Sequence, residues 1–319
     1  MFVDTHTHFY DEWLLEDADA AVQRALAAGV GKMIQADVDS HERKAMWEVG
    51  SRYPGVIFQM LGLYPGSVDA TWREELDLVH SIAQTATACH KARPEHNSEP
   101  SPKPGPKHNP KPILEPNPKP SHSPQGQLSP ATACHPEEAL VKPASPTRPE
   151  RFVAIGEIGL DYHEGKEFVK EQKEVLRIQL ELAARMDLPV NIHLRDAWED
   201  LFAVLKDCKH LNIRGNLHCF TASYEVYERA NQYADFSVGI GGVVTFKNAS
   251  LARTLERIPM EKILLETDAP YLAPVPFRGR RNESAYLPYI AAKVADIKNL
   301  PLPEIEQITT RNAETLFGI

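Results

Sequence analysis

Val153-Ala154-Ile155-Gly156-Glu157-Ile158-Gly159-Leu160-Asp161-Tyr162 is an apolar run in which a carboxylate stands between two glycines. The hydrophobic residues predict a buried strand over 152–158. A carboxylate near the end of such a strand has lost its water, which is costly unless the group is paired or coordinates a metal. The glycines let another backbone or a ligand approach closely. Glu157 is therefore expected at the hub of a site. A strand-end glutamate with one salt-bridge partner would satisfy the same constraint, so the decision rests on what else in the chain points at it.

Working outward, strand-like runs recur at 2–6, 32–36, 56–63, 188–193, 213–218, 234–239 and 262–268. Amphipathic stretches lie between them. Residues 17–28 place Ala20, Ala21, Ala25 and Ala28 at helical spacing before Gly29, a C-cap residue. Residues 168–186 do the same with Val169, Val175, Leu176, Leu180 and Ala183, and 223–233, 251–258 and 284–297 continue the pattern. Strands that alternate with helices predict an α/β fold with a parallel sheet, and eight such units make a (β/α)8 TIM barrel. A doubly wound open sheet is the alternative.

One segment breaks this rhythm. Residues 87–149 hold 16 of the chain's 26 prolines, too little apolar surface to offset the entropy of ordering. Ser101-Pro102-Lys103-Pro104, Asn109-Pro110-Lys111-Pro112 and Asn117-Pro118-Lys119-Pro120 recur at a fixed interval, and Ala86-Thr87-Ala88-Cys89-His90 returns as Ala131-Thr132-Ala133-Cys134-His135. The segment reads as a disordered, locally polyproline II insertion between the third helix and the fourth strand. One discontinuous catalytic domain is thus expected, with 1–86 and 150–319 as its two parts. Without the insertion roughly 255 residues remain, close to the size of one barrel. The insertion is expected on the face opposite the catalytic loops, as a linker or as a ligand for a partner that recognises proline-rich motifs.

The formal charge of −9 over 319 residues argues against non-specific nucleic-acid binding by the whole surface, but not against a local cationic site. The four cysteines form no C-x-x-C pair, so neither a zinc knuckle nor a disulfide framework is indicated. No apolar run of membrane-spanning length and no signal-peptide pattern appears, and the expectation is a cytoplasmic protein without membrane contact.

The chemistry collects at strand ends. His6-Thr7-His8 closes the first strand, and residues i and i+2 of a strand share a face, so both rings can reach one cation. His193 ends the fifth predicted strand, His218 the sixth and Asp268 the eighth. Each alone has an ordinary structural explanation, as a hydrogen-bonded core histidine or a turn aspartate. Together with Glu157 they ring one mouth of a barrel. Imidazole and carboxylate in this number suit two divalent metal ions, Mg, Mn or Zn, better than one tetrahedral ion.

The chain resembles the TatD family of metal-dependent deoxyribonucleases, within the amidohydrolase superfamily. The resemblance runs through Asp4-Thr5-His6-Thr7-His8, Gly156-Glu157-Ile158-Gly159-Leu160-Asp161-Tyr162, His193-Leu194-Arg195-Asp196-Ala197, His218-Cys219-Phe220-Thr221, Gly242-Val243-Val244-Thr245-Phe246, Glu266-Thr267-Asp268-Ala269-Pro270-Tyr271-Leu272-Ala273-Pro274, Arg278-Gly279-Arg280-Arg281-Asn282 and Asn312-Ala313-Glu314-Thr315-Leu316-Phe317. It covers everything except the insertion. It implies one metal on His6, His8, Glu157 and Asp268, a second on Glu157, His193 and His218, and Glu157 as the bridge. It further implies a metal-activated water as nucleophile, with Asp268 accepting its proton, and a 3′–5′ exonuclease acting on single-stranded DNA or DNA 3′ ends. Arg195, Arg278, Arg280 and Arg281 are candidate phosphate contacts, because guanidinium matches phosphate bidentately. The family pattern Gly-x-His-Pro reads Gly62-Leu63-Tyr64-Pro65 here. Tyr64, a candidate substrate contact, can donate a hydrogen bond but lacks imidazole's charge and basicity near neutral pH. A monomer is expected. Two alternatives stay open: an ester or amide hydrolase of the same superfamily, such as an aminoacyl-tRNA deacylase, and a non-catalytic module that binds partners through the insertion.

Overall fold

A computed structural model describes residues 1–90, 149, 151–163, 166–247 and 250–319, without the side chains of 87–90. Apart from its first residues and Pro149, the proline-rich insertion expected at 87–149 lies outside the described residues. The strands are β1 (Phe2–Thr7), β2 (Val30–Gln35), β3 (Ile57–Leu61), β4 (Ala154–Asp161), β5 (Val190–Arg195), β6 (Arg214–Leu217), β7 (Asp235–Ile240) and β8 (Ile263–Leu265). The helices between them are α1 (Ala18–Ala27), α2 (Ser40–Ser51), α3 (Trp72–His90), α4 (Val169–Met186), α5 (Trp198–Asp207), α6 (Tyr224–Ala230), α7 (Leu251–Arg257) and α8 (Leu287–Lys298), with α9 (Leu302–Phe317) last. All eight strands pair in sequence order and all in parallel. Between β8 and β1 the ring closes through a single parallel bridge, Thr7 to Ala269. Sequential order with closure is the barrel topology and excludes the doubly wound sheet, in which the order reverses.

The helices form because their apolar residues fall on one stripe. In α1, Ala21, Val22 and Ala25 are fully buried, and the small alanines let the helix lie close to the sheet. In α4, Leu176, Leu180 and Ala183 do the same. Inside the barrel, Val3, Ile34, Met60, Ala154 and Leu264 pack with Ala313 and Phe317 of α9. That helix, which the strand–helix rhythm did not predict, closes the end of the barrel opposite the mouth. Asn312 fastens it by donating from Nδ2 to the carbonyls of Met260 and Ile263.

The ends of all five ligand-bearing strands differ from expectation, those of β4 and β8 by the most. β4 does not end at Ile158 but runs on to Asp161, and its register against β5 shifts between Ile155 and Ile158. Such an irregularity re-aims side chains, here in the stretch that carries Glu157. β8 stops at Leu265 because Glu266 to Asp268 leave the ladder: the Asp268 amide donates to the His6 carbonyl, and Asp268 itself turns left-handed at φ 58°.

Candidate metal centre

The six predicted ligands converge at the C-terminal mouth. His6 lies on β1 and His8 just beyond it, Glu157 on β4, His193 on β5, and His218 and Asp268 follow β6 and β8. The backbone of Glu157 is fixed by Asp37, whose carbonyl accepts the Glu157 amide while its own amide donates to the Gly156 carbonyl. Asp37 is in turn held by Arg43, whose Nε lies 2.8 Å from its Oδ2. Gly156 and Gly159 keep the close approach their identity suggested: a Cβ on Gly159 would meet the His193 carbonyl oxygen at 1.9 Å, and one on Gly156 the Asn191 Cβ at 2.7 Å.

The Glu157 carboxylate sits at the centre. Its Oε2 is 3.3 Å from His6 Nε2 and 3.8 Å from His8 Nε2, and its Oε1 is 2.9 Å from His193 Nδ1 and 3.8 Å from His218 Nε2. Asp268 Oδ1 lies 3.8, 3.6 and 3.9 Å from the Nε2 atoms of His6, His8 and His218. The His6 and His218 rings stack with centroids 3.6 Å apart. Among the described residues three ligand sets emerge, each with its atoms within 4.8 Å of one another: His6, His8 and Glu157; His6, His218 and Asp268; Glu157, His193 and His218. His218 therefore stands between both groups of ligands.

Each of the four imidazoles has its second nitrogen within 3.0 Å of a residue to which the sequence reading gave no role, by hydrogen bond for His6, His8 and His193 and by ion-pair proximity for His218. His6 Nδ1 meets Asn191 Oδ1 at 3.0 Å, and His8 Nδ1 meets the Tyr10 hydroxyl at 2.9 Å, which donates onward to the Ala36 carbonyl. His193 Nε2 lies 2.9 Å from Asp161 Oδ2, and His218 Nδ1 2.9 Å from Glu266 Oε1. Such partners fix ring orientation and leave the other nitrogen's lone pair for a cation. A faint signal did exist, since Tyr10, Asn191 and Glu266 each stand two residues from a predicted ligand, the period at which strand side chains share a face.

The electrostatics fit a cation. His6 and His8 bring their Nε2 atoms within 3.0 Å of each other, where they can share one proton as a hydrogen bond or face one cation together. Burial disfavours charge on every ligand, yet the carboxylates around His218 outweigh it and push that ring up to about 10, with Glu266 contributing most. His193 is likewise raised against its burial, to about 9, by Asp161 and Glu157. His6 is lowered by burial and by His218. Burial would raise Glu157, but His6, His193 and His218 hold it well below its usual value. In the absence of a cation, protons on the imidazoles balance the carboxylates, and divalent cations at the same place would do so with fewer desolvated groups. The donor set of imidazole and carboxylate suits Zn, Mn or Mg.

The remaining predicted contacts are dispersed around the rim. Tyr64 packs edge-on to His193 with centroids 5.0 Å apart, and its hydroxyl is 3.5 Å from Asp161 Oδ2. Arg195 ends β5 and is exposed. Arg278 lies over the Phe246 ring at 4.3 Å, and Arg280 is exposed on the same segment. Arg281 is committed elsewhere, donating to the Trp13 carbonyl at 3.0 Å and to Asp17 at 2.5 Å. Among the described residues no helix is long and apolar enough to cross a membrane, and Cys208 and Cys219 are free thiols.

The chain is similar to known proteins. The chain is 47% identical over 171 residues to an uncharacterised metal-dependent hydrolase, YabD, of Bacillus subtilis, a match that covers 53% of this chain and 67% of that one. It is 40% identical over 178 residues to the 3′-5′ ssDNA/RNA exonuclease TatD of Klebsiella pneumoniae, covering 54% and 67%. The chain thus spans about two thirds of the length of these relatives. The crystal structure of YjjV, a TatD homolog from Escherichia coli K12, superposes with a TM-score of 0.71 at 26% identity over 100% of this chain and 98% of that one. A family model described as TatD related DNase matches residues 3–93 and 118–318. Both halves of the barrel fall within that match, as do all six side chains that converge on the mouth, and the chain belongs to the TatD-related DNase family.

Proposed function

We propose that this metal-dependent hydrolase of the TatD family is a phosphodiesterase that trims single-stranded DNA from its 3′ end. One observation carries the reading: four imidazoles and two carboxylates meet around Glu157 at an open barrel mouth, with each imidazole oriented from behind. Two cations are proposed, the first held by His6, His8, Glu157 and Asp268, the second by Glu157, His193 and His218. Glu157 is the bridge because a carboxylate has two oxygens to share, and here Oε2 faces one group of histidines and Oε1 the other. Bound there, divalent cations supply positive charge to a phosphodiester and acidity to water, the two requirements of its hydrolysis.

The residues of the chain do the rest. Asp268, whose side chain is 15% exposed, faces the mouth more openly than Glu157 and is placed to accept the proton of the attacking water. Tyr64 can donate a hydrogen bond to a substrate oxygen beside His193, a weaker role than a histidine would fill there. Arg195, Arg278 and Arg280 are proposed to contact the phosphates that flank the scissile one. Arg281 instead braces the rim through Asp17 and Trp13. That one barrel supplies all six side chains supports a reaction within a single discontinuous domain, and the protein is proposed to act as a monomer in the cytoplasm.

The test is release of nucleotides from 3′-labelled single-stranded DNA with Mg or Mn and with chelator, alongside Glu157→Ala and His193→Ala. Metal-dependent release that both substitutions abolish supports the reading. Unchanged turnover in Glu157→Ala sinks the mechanism. Failure on DNA with metal demonstrably bound, but turnover of an aminoacyl ester in the same assay, transfers the site to ester hydrolysis.

A further inference from the structure

Beside the mouth, the chain exposes aromatic surface that the metal centre does not need. Trp13 is 58% exposed and Tyr271 44% exposed, in a protein whose other large rings are mostly withdrawn from water. Their ring centroids lie 6.0 Å apart, and Tyr271 lies 6.2 Å from the ring of His8. The three rings thus form a path that leads outward from a metal ligand.

The path is built, not frayed. Asp11 holds both aromatic residues, since its Oδ1 accepts the Trp13 amide at 2.8 Å and its Oδ2 the Tyr271 hydroxyl at 2.6 Å. Arg281 grips the Trp13 carbonyl at 3.0 Å and is itself anchored on Asp17. Phe9 and Leu14, both fully buried, pin the loop on either side. The Tyr271 amide donates to the carbonyl of Asp268 at 2.8 Å, which couples the outer ring to a metal ligand. A loop so fixed could have turned its indole inward. It holds the indole in water, which loses apolar burial unless a ligand covers it.

Ring chemistry and the cationic segment together indicate which ligand. Asp11 and Asp17 beside Trp13 are tied to Tyr271 and Arg281, Glu12 and Glu16 are exposed, and Arg278 and Arg280 are exposed on the segment that follows Tyr271; exposed rings combined with cationic side chains are how proteins hold single strands. We propose that Trp13 and Tyr271 form a stacking platform for the base next to the scissile phosphodiester of single-stranded DNA. This assignment rests on the phosphodiesterase reading and adds a recognition element to it. A strand with its phosphate among the six ligands carries the neighbouring base past His8 onto Tyr271 and Trp13. Stacking accepts any base, because every base has a π-face, so the platform selects unpaired strands without selecting sequence.

The experiment measures binding of a fluorescein-labelled, hydrolysis-resistant phosphorothioate oligothymidylate by anisotropy, for wild type, Trp13→Ala and Trp13→Phe. A second strand carries an abasic residue in place of the penultimate 3′ base. Trp13→Ala is expected to weaken binding of the normal strand about 10-fold, within the range of one base–aromatic stack, with Trp13→Phe recovering most of the loss. On the wild-type protein the abasic residue is expected to cost the same factor, and on Trp13→Ala to cost nothing further. Equal affinity of Trp13→Ala and wild type, an equal loss on normal and abasic strands, or no strand binding by wild type overturns the platform. Metal-dependent hydrolysis of bis(p-nitrophenyl) phosphate is followed in parallel. Its absence beside base-dependent strand binding would count against the phosphodiesterase reading alone, whereas turnover without base dependence would count against the platform alone.

Discussion

His218 shows how much of the centre is decided one atom behind the ligand. Glu266 Oε1 lies 2.9 Å from its Nδ1 as an ion-pair partner and also accepts the amide of Cys219 at 2.5 Å, so one buried carboxylate contacts both the ring and the turn that carries it. Glu266→Gln keeps the shape but removes the charge that favours this orientation. The expected outcome is a loss of roughly 10- to 100-fold in metal affinity, the usual weight of such partners, read by titration of Mn²⁺ against a chelating dye. A second expectation concerns protons. His193 and His218, raised to about 9 and about 10, carry protons at neutral pH that a metal must displace. Apparent metal affinity should therefore rise with pH, by up to about tenfold per unit for each proton released, and level off once pH passes those values. The same protons stabilise the chelated protein fully below the unfolded value of 6.5 and cease to do so as pH rises through about 9 and about 10. The melting temperature of chelated protein should fall between pH 7 and 10, and that of Mn²⁺-loaded protein should stay nearly level.

At the scale of the element, the strands with ligands were legible because a parallel barrel strand is an uninterrupted apolar run, and a histidine or acid at its end stands out against it. What the pattern could not show was register. The sequence reads as a strand that ends at Ile158, whereas β4 continues to Asp161, and the irregularity between Ile155 and Ile158 is invisible without the partner strand. Helix α9 escaped for a different reason: its buried positions Ile305, Thr309, Ala313 and Phe317 include a threonine and an alanine, which weakens the apolar stripe. The second partners of the histidines were missed because the two-residue spacing of Tyr10, Asn191 and Glu266 from a ligand does not tell which ring each will meet, and Asp161 lacks even that spacing. Gly159 was legible, and it yields the sharpest test of strand proximity. Its φ of 148° and the His193 carbonyl 1.9 Å from any added Cβ predict that Gly159→Ala forces β4 and β5 apart. A stability loss of about 1–3 kcal/mol or more is expected, with weakened metal binding because Glu157 and His193 lie on the separated strands. Chemical denaturation and the same dye titration would detect both.

For the whole molecule, residues Met1–Ala92 and Pro143–Ile319 form one compact unit, and Arg93–Lys142 fall outside it. α3 precedes this segment in the chain and β4 follows it, and all six ligands lie outside it. Replacing 93–142 by a short Gly-Ser linker should therefore leave the melting temperature within a few degrees and metal-dependent turnover within about twofold, since loop length enters stability only logarithmically. A collapse of either quantity would mean that the segment belongs to the catalytic unit. The single bridge between Thr7 and Ala269 has a consequence in time. The first strand reaches its last neighbour only at the mouth, where His8 donates its amide to Ala269 and Asp268 donates to His6. These contacts join residues about 260 positions apart, so β1 waits with its ligands through nearly the whole of synthesis. A ribosome must deliver the last strand before Asp268 can join the other five side chains, so the complete centre is a product of the finished chain and not of its growing portion.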